Sequence, residues 1–316
     1  MKRAVVLGMV AFLFVAVVLI VAVVSTPSHM GEREEPTFAD VAYGPHERNV
    51  LDFWQAPSDT PTPLIVWIHG GGFLLESKDE FGRKGGDDYD IRKCWKAGVS
   101  VAAIDYRFLT DAPLQDIMRD CGRAIQFLRH KAQEWNIDKT RIASFGGSAG
   151  AGTSLWLAFH DDLADPDNAD PVLRESTRLC VVGAIVPQAT YDFSRWPKAL
   201  RGPQFTWWFS QWFVSPVCYH LRVKKTNAAE LRQVRADLDM LAWIDPEDPP
   251  VFIRSSGKES RLNFDFLHHP WHARALEAAC KAGQVPCIAI YRDTPPEERV
   301  NVLDFLLEHL RSPDRQ

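Results

Sequence analysis

Apolar residues along the chain form short continuous runs that alternate with segments in which they recur at helical spacing. The continuous runs predict buried strands over residues 63–68, 99–106, 141–145, 180–186, 250–255 and 286–291. Helical spacing predicts helices over residues 90–97, 114–135, 149–159, 270–282 and 297–310. Two shorter strand-like pieces within residues 41–56 predict an opening hairpin. The alternation predicts an α/β fold with a mostly parallel central sheet flanked by helices.

The strand predicted at 141–145 runs directly into a helix through a turn rich in glycine. Gly146-x-Ser148-x-Gly150 has the spacing of a nucleophile elbow, the sharp strand-to-helix turn that holds a serine in a strained, exposed conformation. Glycines flank the serine because a side chain there would collide with the neighbouring strand and helix. The helix that follows directs its free N–H groups and positive dipole end at the serine oxygen. The motif indicates a nucleophilic serine; a plain structural turn is the alternative.

A second glycine-rich stretch, His69-Gly70-Gly71-Gly72-Phe73, follows the buried strand at 63–68. Successive glycines leave backbone N–H groups bare, so a ligand oxygen can approach them closely. This is the pattern of the oxyanion loop that esterases place opposite the elbow, although a glycine run can also be a flexible loop. Two such motifs, in this order and each at a strand end, favour serine-based acyl transfer.

With these motifs the sequence resembles the α/β-hydrolase superfamily, and within it the hormone-sensitive-lipase-like and feruloyl-esterase-like carboxylesterases. The matching positions are residues 69–73, Asp105-Tyr106-Arg107, Asp120 and residues 141–150, and the resemblance is looser beyond residue 185. It implies an α/β-hydrolase domain over residues 38–316, in which Asp105-Tyr106-Arg107 is structural.

The resemblance also implies the function of a serine carboxylesterase acting on a small-molecule ester. Ser148 would attack the ester carbonyl, and the N–H groups of Gly71, Gly72 and Ala149 would stabilise the resulting oxyanion. This chemistry needs no metal or organic cofactor. A membrane-tethered protein of the same fold that binds a ligand or partner without catalysis is the alternative function.

In the family the catalytic acid follows the elbow and the histidine comes last. Asp265 and Glu259 both follow the strand at 250–255, and Asp265 is preferred because it keeps the family-like distance to the next helix. The loop at 291–297, which carries the histidine in relatives, contains none here. His309 lies far inside the last predicted helix, on the surface.

The remaining histidines downstream of the elbow cluster in His268-His269-Pro270-Trp271-His272. A histidine of this loop follows the carboxyl end of a strand and could therefore reach the serine. We expect His269, or failing it His268, to be the general base. If His269 is the base, Asp192 becomes a further candidate for the acid.

The N-terminus carries a basic start followed by an apolar stretch over residues 4–24, long enough to span a bilayer. Residues 1–25 are therefore predicted to be a transmembrane anchor, or a signal peptide cleaved near Val23-x-Ser25. Lys2 and Arg3 would remain on the cytoplasmic side. The catalytic domain would be exported and held at the membrane, or secreted after cleavage. Polar residues 26–37 predict a linker.

An aromatic-rich segment over residues 191–245 has the length of an inserted cap. We expect most of its rings to pack as core between helices and some to line an apolar acyl or aryl pocket; contact with the bilayer surface is a third use. The rings are Trp196, Phe205, Trp207, Trp208, Phe209, Trp212, Phe213 and Trp243.

Charge and residue spacing argue against several partners and binding sites. A net charge of -5 argues against nucleic acid as a partner, since the one basic cluster, residues 222–225, indicates a solvated surface. The six cysteines show no metal-ligand spacing, and Cys280 with Cys287 is the one pair nominated for a disulfide. The acidic residues 161–170 lack the spacing of a calcium loop and predict a solvated loop. The oligomeric state is not encoded in any of these patterns.

Overall fold

The structure, a computed structural model, describes residues 33–83, 86–196, 214–220, 228–259 and 265–311. The predicted anchor or signal (1–25) and most of the predicted linker lie outside the described residues. So do six of the predicted cap rings, namely Phe205, Trp207, Trp208, Phe209, Trp212 and Phe213.

One sheet of eight strands organises the described chain, in the order β1-β2-β4-β3-β5-β6-β7-β8. Strand β2 pairs antiparallel with both β1 and β4, whereas the other neighbours are parallel. The predicted opening hairpin and mostly parallel sheet are therefore confirmed. The strands are β1 Phe38–Ala42, β2 Val50–Trp54, β3 Thr62–Ile68, β4 Ser100–Ile104, β5 Ile137–Gly147, β6 Val181–Ile185, β7 Val251–Ser255 and β8 Cys287–Tyr291.

Helices cover both faces of the sheet. The helices of the described chain are α1 Ile91–Lys96, α2 Leu114–His130, α3 Ala149–Phe159, α4 Ser215–Tyr219, α5 Ala228–Asp237, α6 Met240–Trp243, α7 Pro270–Ala282 and α8 Val302–Arg311. Helices α2, α3 and α7 contribute to the core on one face, and α1 and α8 to the core on the other. Helix α8 begins five residues later than predicted, because residues 296–298 form a separate 3-10 turn that starts at a proline.

The central strands are buried on both faces, as continuous apolar runs predict. All residues of β3 and β4 are buried. These two strands lie side by side, and β5 lies on the other side of β3. The ends of β3 and β5, which carry the two glycine motifs, are therefore neighbours.

The elbow sits directly on the end of β3, backbone against backbone. Ile68 pairs with Gly146, and a Cβ added to Gly146 would lie 2.3 Å from the Ile68 carbonyl oxygen. A Cβ on Gly150 would lie 2.0 Å from the same oxygen and 2.7 Å from that of His69. Both positions therefore require glycine, as the elbow motif predicts.

The described part of the predicted cap segment contains α4, α5 and α6. Trp196 is buried, with its ring centroid 5.0 Å from that of Phe193 and 5.0 Å from that of His272. Trp243 stacks on His160 of the core at 4.8 Å. Trp196 is therefore part of the core and the partly buried Trp243 packs against it, in line with the main expectation for the rings of the predicted cap.

Two further features of the described chain concern its helices and its cysteines. Its helices include none with the combination of length and apolar character needed to cross a bilayer. All six cysteines are free thiols. Cys280 and Cys287 nevertheless interact through their side chains, so the nominated pair is adjacent but not joined by a disulfide.

We expect Gly150→Ala to destabilise the fold by more than about 3 kcal/mol, because the added Cβ meets rigid backbone and not a movable side chain. Gly147→Ala is the matched control, since a Cβ there has no neighbour within 4 Å. Urea unfolding of both variants measures the difference. Equal free energies of unfolding would contradict the backbone contact.

Candidate active site

Ser148 occupies the turn between β5 and α3 in a strained backbone conformation. Its φ of 52° and ψ of -114° lie outside the regions that L-residues favour. The Ser148 N–H donates to the Ile185 carbonyl at 2.9 Å, and the Ser148 carbonyl accepts from the Gly152 N–H at 3.0 Å. Hydrogen bonds to β6 and to α3 thus hold the serine in the conformation that the elbow motif predicts.

His268 lies against the serine side chain. Its Nε2 is 2.8 Å from Ser148 Oγ, and its Nδ1 is 3.3 Å from Asp265 Oδ2. The His268 backbone N–H donates to Asp265 Oδ1 at 3.1 Å. Because an ionised carboxylate only accepts hydrogen bonds, Nδ1 carries the ring proton, and Nε2 is free to accept from the serine hydroxyl. Hydrogen bonds thus connect Ser148, His268 and Asp265 in a continuous relay. The loop of residues 265–269, which carries Asp265 and His268, is called the relay loop below.

Electrostatics keep Asp265 ionised in this relay. Burial by itself raises the pKa of the Asp265 carboxyl, but its hydrogen bonds with His268 outweigh that effect and hold the pKa below its usual value. The Asp265 side chain is about half exposed, so solvent also supports the charge.

The structure brings together two of the three residues preferred from the sequence, Ser148 and Asp265, but supplies the second-choice histidine. His269 is buried and caps α7, accepting a hydrogen bond on Nδ1 from the Trp271 N–H at 3.2 Å. The physical reason is that Pro270 begins the helix, which makes residue 269 the N-cap and turns its ring to the helix end. His268, one residue earlier, is left to face Ser148.

The two alternative acids are engaged elsewhere. Glu259 accepts from the Trp271 indole N–H at 3.1 Å and lies 3.4 Å from Arg274. Asp192 caps a 3-10 turn by accepting from the Ser194 N–H at 3.0 Å. Of the carboxylates considered from the sequence, Asp265 is the one that contacts the His268 ring.

Two buried side chains fix the loop that carries Asp265 and His268. Gln188 Nε2 donates to the Leu267 carbonyl at 2.9 Å. His272 Nε2 lies 3.0 Å from the Phe266 carbonyl, and its Nδ1 accepts from the Ala189 N–H at 3.2 Å. His272 thus joins the segment after β6 to the relay loop. Neither Gln188 nor His272 was a candidate from the sequence, where the one signal was the presence of His272 in the histidine cluster.

The hydrogen bonds of His272 define its protonation state. Nδ1 is an acceptor and Nε2 a donor, so the ring is neutral. Complete burial lowers the pKa of His272 from 6.5 to about 4. Protonation would place a charge in the core and a hydrogen on the nitrogen that must accept.

The glycine loop opposite the elbow is fixed by Tyr106. Its hydroxyl lies 2.8 Å from the His69 carbonyl oxygen and 2.9 Å from that of Gly70. The rings of Tyr106 and His69 stack at 4.1 Å, and both residues are fully buried. Gly71 and Gly72 then adopt positive φ values of 75° and 62°, which glycine tolerates at no steric cost.

The rest of the Asp105-Tyr106-Arg107 tripeptide is also structural, as expected. Arg107 makes a two-pronged ion pair with Asp120, with both N···O distances 2.8 Å. Asp105 accepts from the Lys78 backbone N–H at 2.7 Å.

Aromatic rings connect the glycine loop to the relay loop. The ring centroids of Phe73 and Tyr191 are 5.6 Å apart, and those of Trp196 and Phe266 are 6.4 Å apart. Phe193 lies between Tyr191 and Trp196. Within the described residues, no group of three or more metal-ligating side chains is arranged to bind an ion.

Comparison with known proteins places this geometry in context. The model of the BD-FAE family matches residues 51–265, more than half of the chain. A protein of Mycobacterium tuberculosis named as the probable carboxylic ester hydrolase LipM is 27% identical over 227 residues, which are 70% of this chain and 48% of that protein. A probable isoprenylcysteine alpha-carbonyl methylesterase of Arabidopsis thaliana is 26% identical over 140 residues, 44% of this chain and 28% of that protein. The matches thus span less than half the length of these curated relatives.

Solved structures share the fold. A truncated carbohydrate esterase from gut microbiota superposes with a TM-score of 0.65 at 17% identity, covering 90% of this chain and 100% of that one. The esterase Est2 of Thermogutta terrifontis superposes with a TM-score of 0.56 at 19% identity, covering 84% and 85%. At these identities the likeness concerns the fold alone, and it confirms the fold predicted from the two glycine motifs.

We expect His272 to make the protein sensitive to acid. Between about pH 6.5 and pH 4 the unfolded chain binds a proton at this position that the folded chain does not, so stability falls as the pH is lowered through that window. At pH 5 the loss relative to neutral pH is about 2 kcal/mol. His272→Gln removes the titrating group, so its free energy of unfolding should decline less between pH 7 and pH 5 in urea titrations. Parallel declines in wild type and variant would contradict the assignment.

Proposed function

Because the chain belongs to the BD-FAE family of the α/β-hydrolase superfamily, we propose that it hydrolyses carboxylic esters through an acyl-enzyme formed on Ser148. The observation that carries the proposal is the 2.8 Å contact between Ser148 Oγ and His268 Nε2. The contact of His268 Nδ1 with Asp265 supports it. The names of the curated relatives, which are ester hydrolases, agree with this reaction class.

In the proposed mechanism Ser148 Oγ attacks the ester carbonyl carbon while His268 Nε2 takes the hydroxyl proton. Asp265 keeps the ring in the tautomer that can accept this proton and stabilises the imidazolium that forms. When the tetrahedral intermediate collapses, the bond to the alcohol breaks and His268 returns the proton to the leaving alcohol. A water molecule then attacks the acyl-enzyme by the same route, which releases the acid and restores Ser148.

The oxyanion of each intermediate would be stabilised by the N–H groups of Gly71, Gly72 and Ala149. Ala149 is the first residue of α3, so its N–H lies at the positive end of the helix dipole. The Gly71 and Gly72 N–H groups belong to the loop that packs on the elbow, where a Cβ on Gly70 would lie 2.9 Å from the Gly147 carbonyl oxygen. Each such donor contributes about 3 kcal/mol to lowering the barrier.

His268 also bears on the alternative of a non-catalytic binding protein. That alternative drew its support from the absence of a histidine after the last strand. A histidine in the loop after β7, within hydrogen-bond distance of Ser148, supplies the missing base by another route. The strained serine and the glycine loop then have a common purpose in acyl transfer, so we favour the enzyme.

Two finer parts of the proposal derive from the sequence. The aromatic residues of the cap favour short-to-medium acyl or aromatic esters as substrates. The apolar segment at residues 4–24 favours export of the domain, either anchored in the membrane or released after cleavage.

We expect Ser148→Ala and His268→Ala each to lower kcat on p-nitrophenyl acetate and butyrate by about 10³-fold or more, because each removes a partner of the proton transfer. His269→Ala is the matched control: it should keep kcat near the wild-type value and lose about 1 kcal/mol of stability with the helix cap. Steady-state kinetics on the purified full chain, with thermal unfolding, measure both effects.

The opposite pattern, with activity lost in His269→Ala and kept in His268→Ala, would refute His268 as the base. Equal background rates in wild type and Ser148→Ala would instead leave the ligand-binding alternative as the function to test.

We expect Asp265→Asn to lower kcat by about 10²-fold, less than for a fully buried catalytic aspartate, since solvent can replace part of the charge at this half-exposed carboxylate. Glu259→Gln is the matched control and should leave kcat unchanged, because Glu259 contacts Trp271 and Arg274. A similar loss in both variants, measured on the same esters, would refute Asp265 as the specific acid.

A further inference from the structure

Glu76 adopts a backbone conformation that is unusual for its residue type. Its φ is +71°, in the left-handed region that favours glycine. It lies three residues after Phe73, at the end of the glycine loop. A disfavoured conformation of this kind persists only where surrounding contacts compensate for its cost.

The side chain of Glu76 folds back over the glycine loop. Its Oε2 accepts a hydrogen bond from the Gly70 N–H at 3.2 Å. A Cβ on Gly71 would lie 3.1 Å from Glu76 Cγ and 3.2 Å from Glu76 Cβ. The glutamate therefore covers one side of Gly71 and binds the peptide group that precedes it.

Arg48 binds the backbone of Glu76. The Arg48 Nη2 donates to the Glu76 carbonyl at 3.4 Å and lies 3.3 Å from Asp105 Oδ1. The guanidinium also stacks over the Phe108 ring, 3.8 Å from its centroid. These contacts tie the backbone of Glu76 to the segment that follows β4.

Glu76 and Tyr106 together fix both ends of one peptide group. The peptide between His69 and Gly70 has its carbonyl oxygen bound by the Tyr106 hydroxyl and its N–H bound by the Glu76 carboxylate. The next peptide, whose N–H belongs to Gly71, has its carbonyl oxygen held by the same hydroxyl. The direction of the Gly71 N–H is therefore set by the Tyr106 hydroxyl and the Glu76 carboxylate.

We propose that Glu76 is a positioning residue that orients the N–H groups of Gly71 and Gly72 toward the oxyanion. This inference rests on the proposed esterase function. This role requires an oxygen acceptor at the end of a side chain as long as that of glutamate. It does not require a charge, because the contact with Gly70 is a hydrogen bond from a neutral N–H. The left-handed φ of Glu76 is the conformation that brings the carboxylate back onto the loop.

The test compares Glu76→Gly with Glu76→Gln in the full chain. Glycine accepts the positive φ without strain but lacks the acceptor, whereas glutamine keeps an oxygen acceptor of the same reach. We expect Glu76→Gly to lower kcat on p-nitrophenyl butyrate by about tenfold with little change in KM, while its Tm equals or exceeds that of wild type. Glu76→Gln should keep kcat within about threefold.

The outcomes separate this inference from the function on which it rests. Wild-type kcat in Glu76→Gly, with Ser148-dependent hydrolysis intact in the wild type, would overturn the role of Glu76 and leave the esterase standing. A loss in Glu76→Gln as large as in Glu76→Gly would also overturn it, because the charge and not the acceptor would then matter. Absence of Ser148-dependent hydrolysis in the wild type would refute both.

Discussion

The contact between the elbow and the end of β3 is the constraint on which the rest of the site depends. Gly146 and Gly150 bring the β5–α3 turn so close to the carbonyl oxygens of Ile68 and His69 that a single Cβ would not fit. The serine and the glycine loop are therefore set by backbone packing, which is stiffer than side-chain packing. The proposed acid and base need only be added from a loop that already lies at this edge of a parallel sheet, where ligands of open α/β sheets bind.

The position of His268, the proposed base, follows from the hydrogen bonds between neighbouring loops. Ser148 bonds to Ile185 at the end of β6, and the segment after β6 provides Gln188 and the backbone that binds His272. These side chains in turn hold the carbonyl groups of Leu267 and Phe266 in the loop after β7. Hydrogen bonds thus link Ser148 to the end of β6, and the segment after β6 to the loop that carries His268. With this support, the single loop after β7 can carry both the proposed acid, Asp265, and the proposed base, His268.

Much of this arrangement could be predicted from the sequence, because continuous apolar runs and glycine spacing report directly on buried strands and tight backbone turns. The choice between His268 and His269 depended on where α7 begins. Pro270 suits the first position of a helix, which makes residue 269 the cap, and this signal was available in the sequence. The contacts of Gln188 and Glu76 could not be predicted from the sequence, because each depends on a backbone carbonyl or N–H group that the fold brings near.

Part of the backbone strain lies where the chemistry is proposed, and hydrophobic patterns carry no trace of it. Of the eight non-glycine residues with positive φ in the described chain, four follow strand ends at this edge of the sheet, namely Phe73, Glu76, Ser148 and Val186. Each costs about 1–3 kcal/mol. Such conformations persist only where hydrogen bonds over-determine them, as the Val186 N–H does by donating to the Arg254 carbonyl at 2.7 Å. The hydrogen bonds of the sheet therefore hold these residues in strained conformations, and in the proposed mechanism those conformations present Ser148 and the oxyanion N–H groups to the same ester carbonyl.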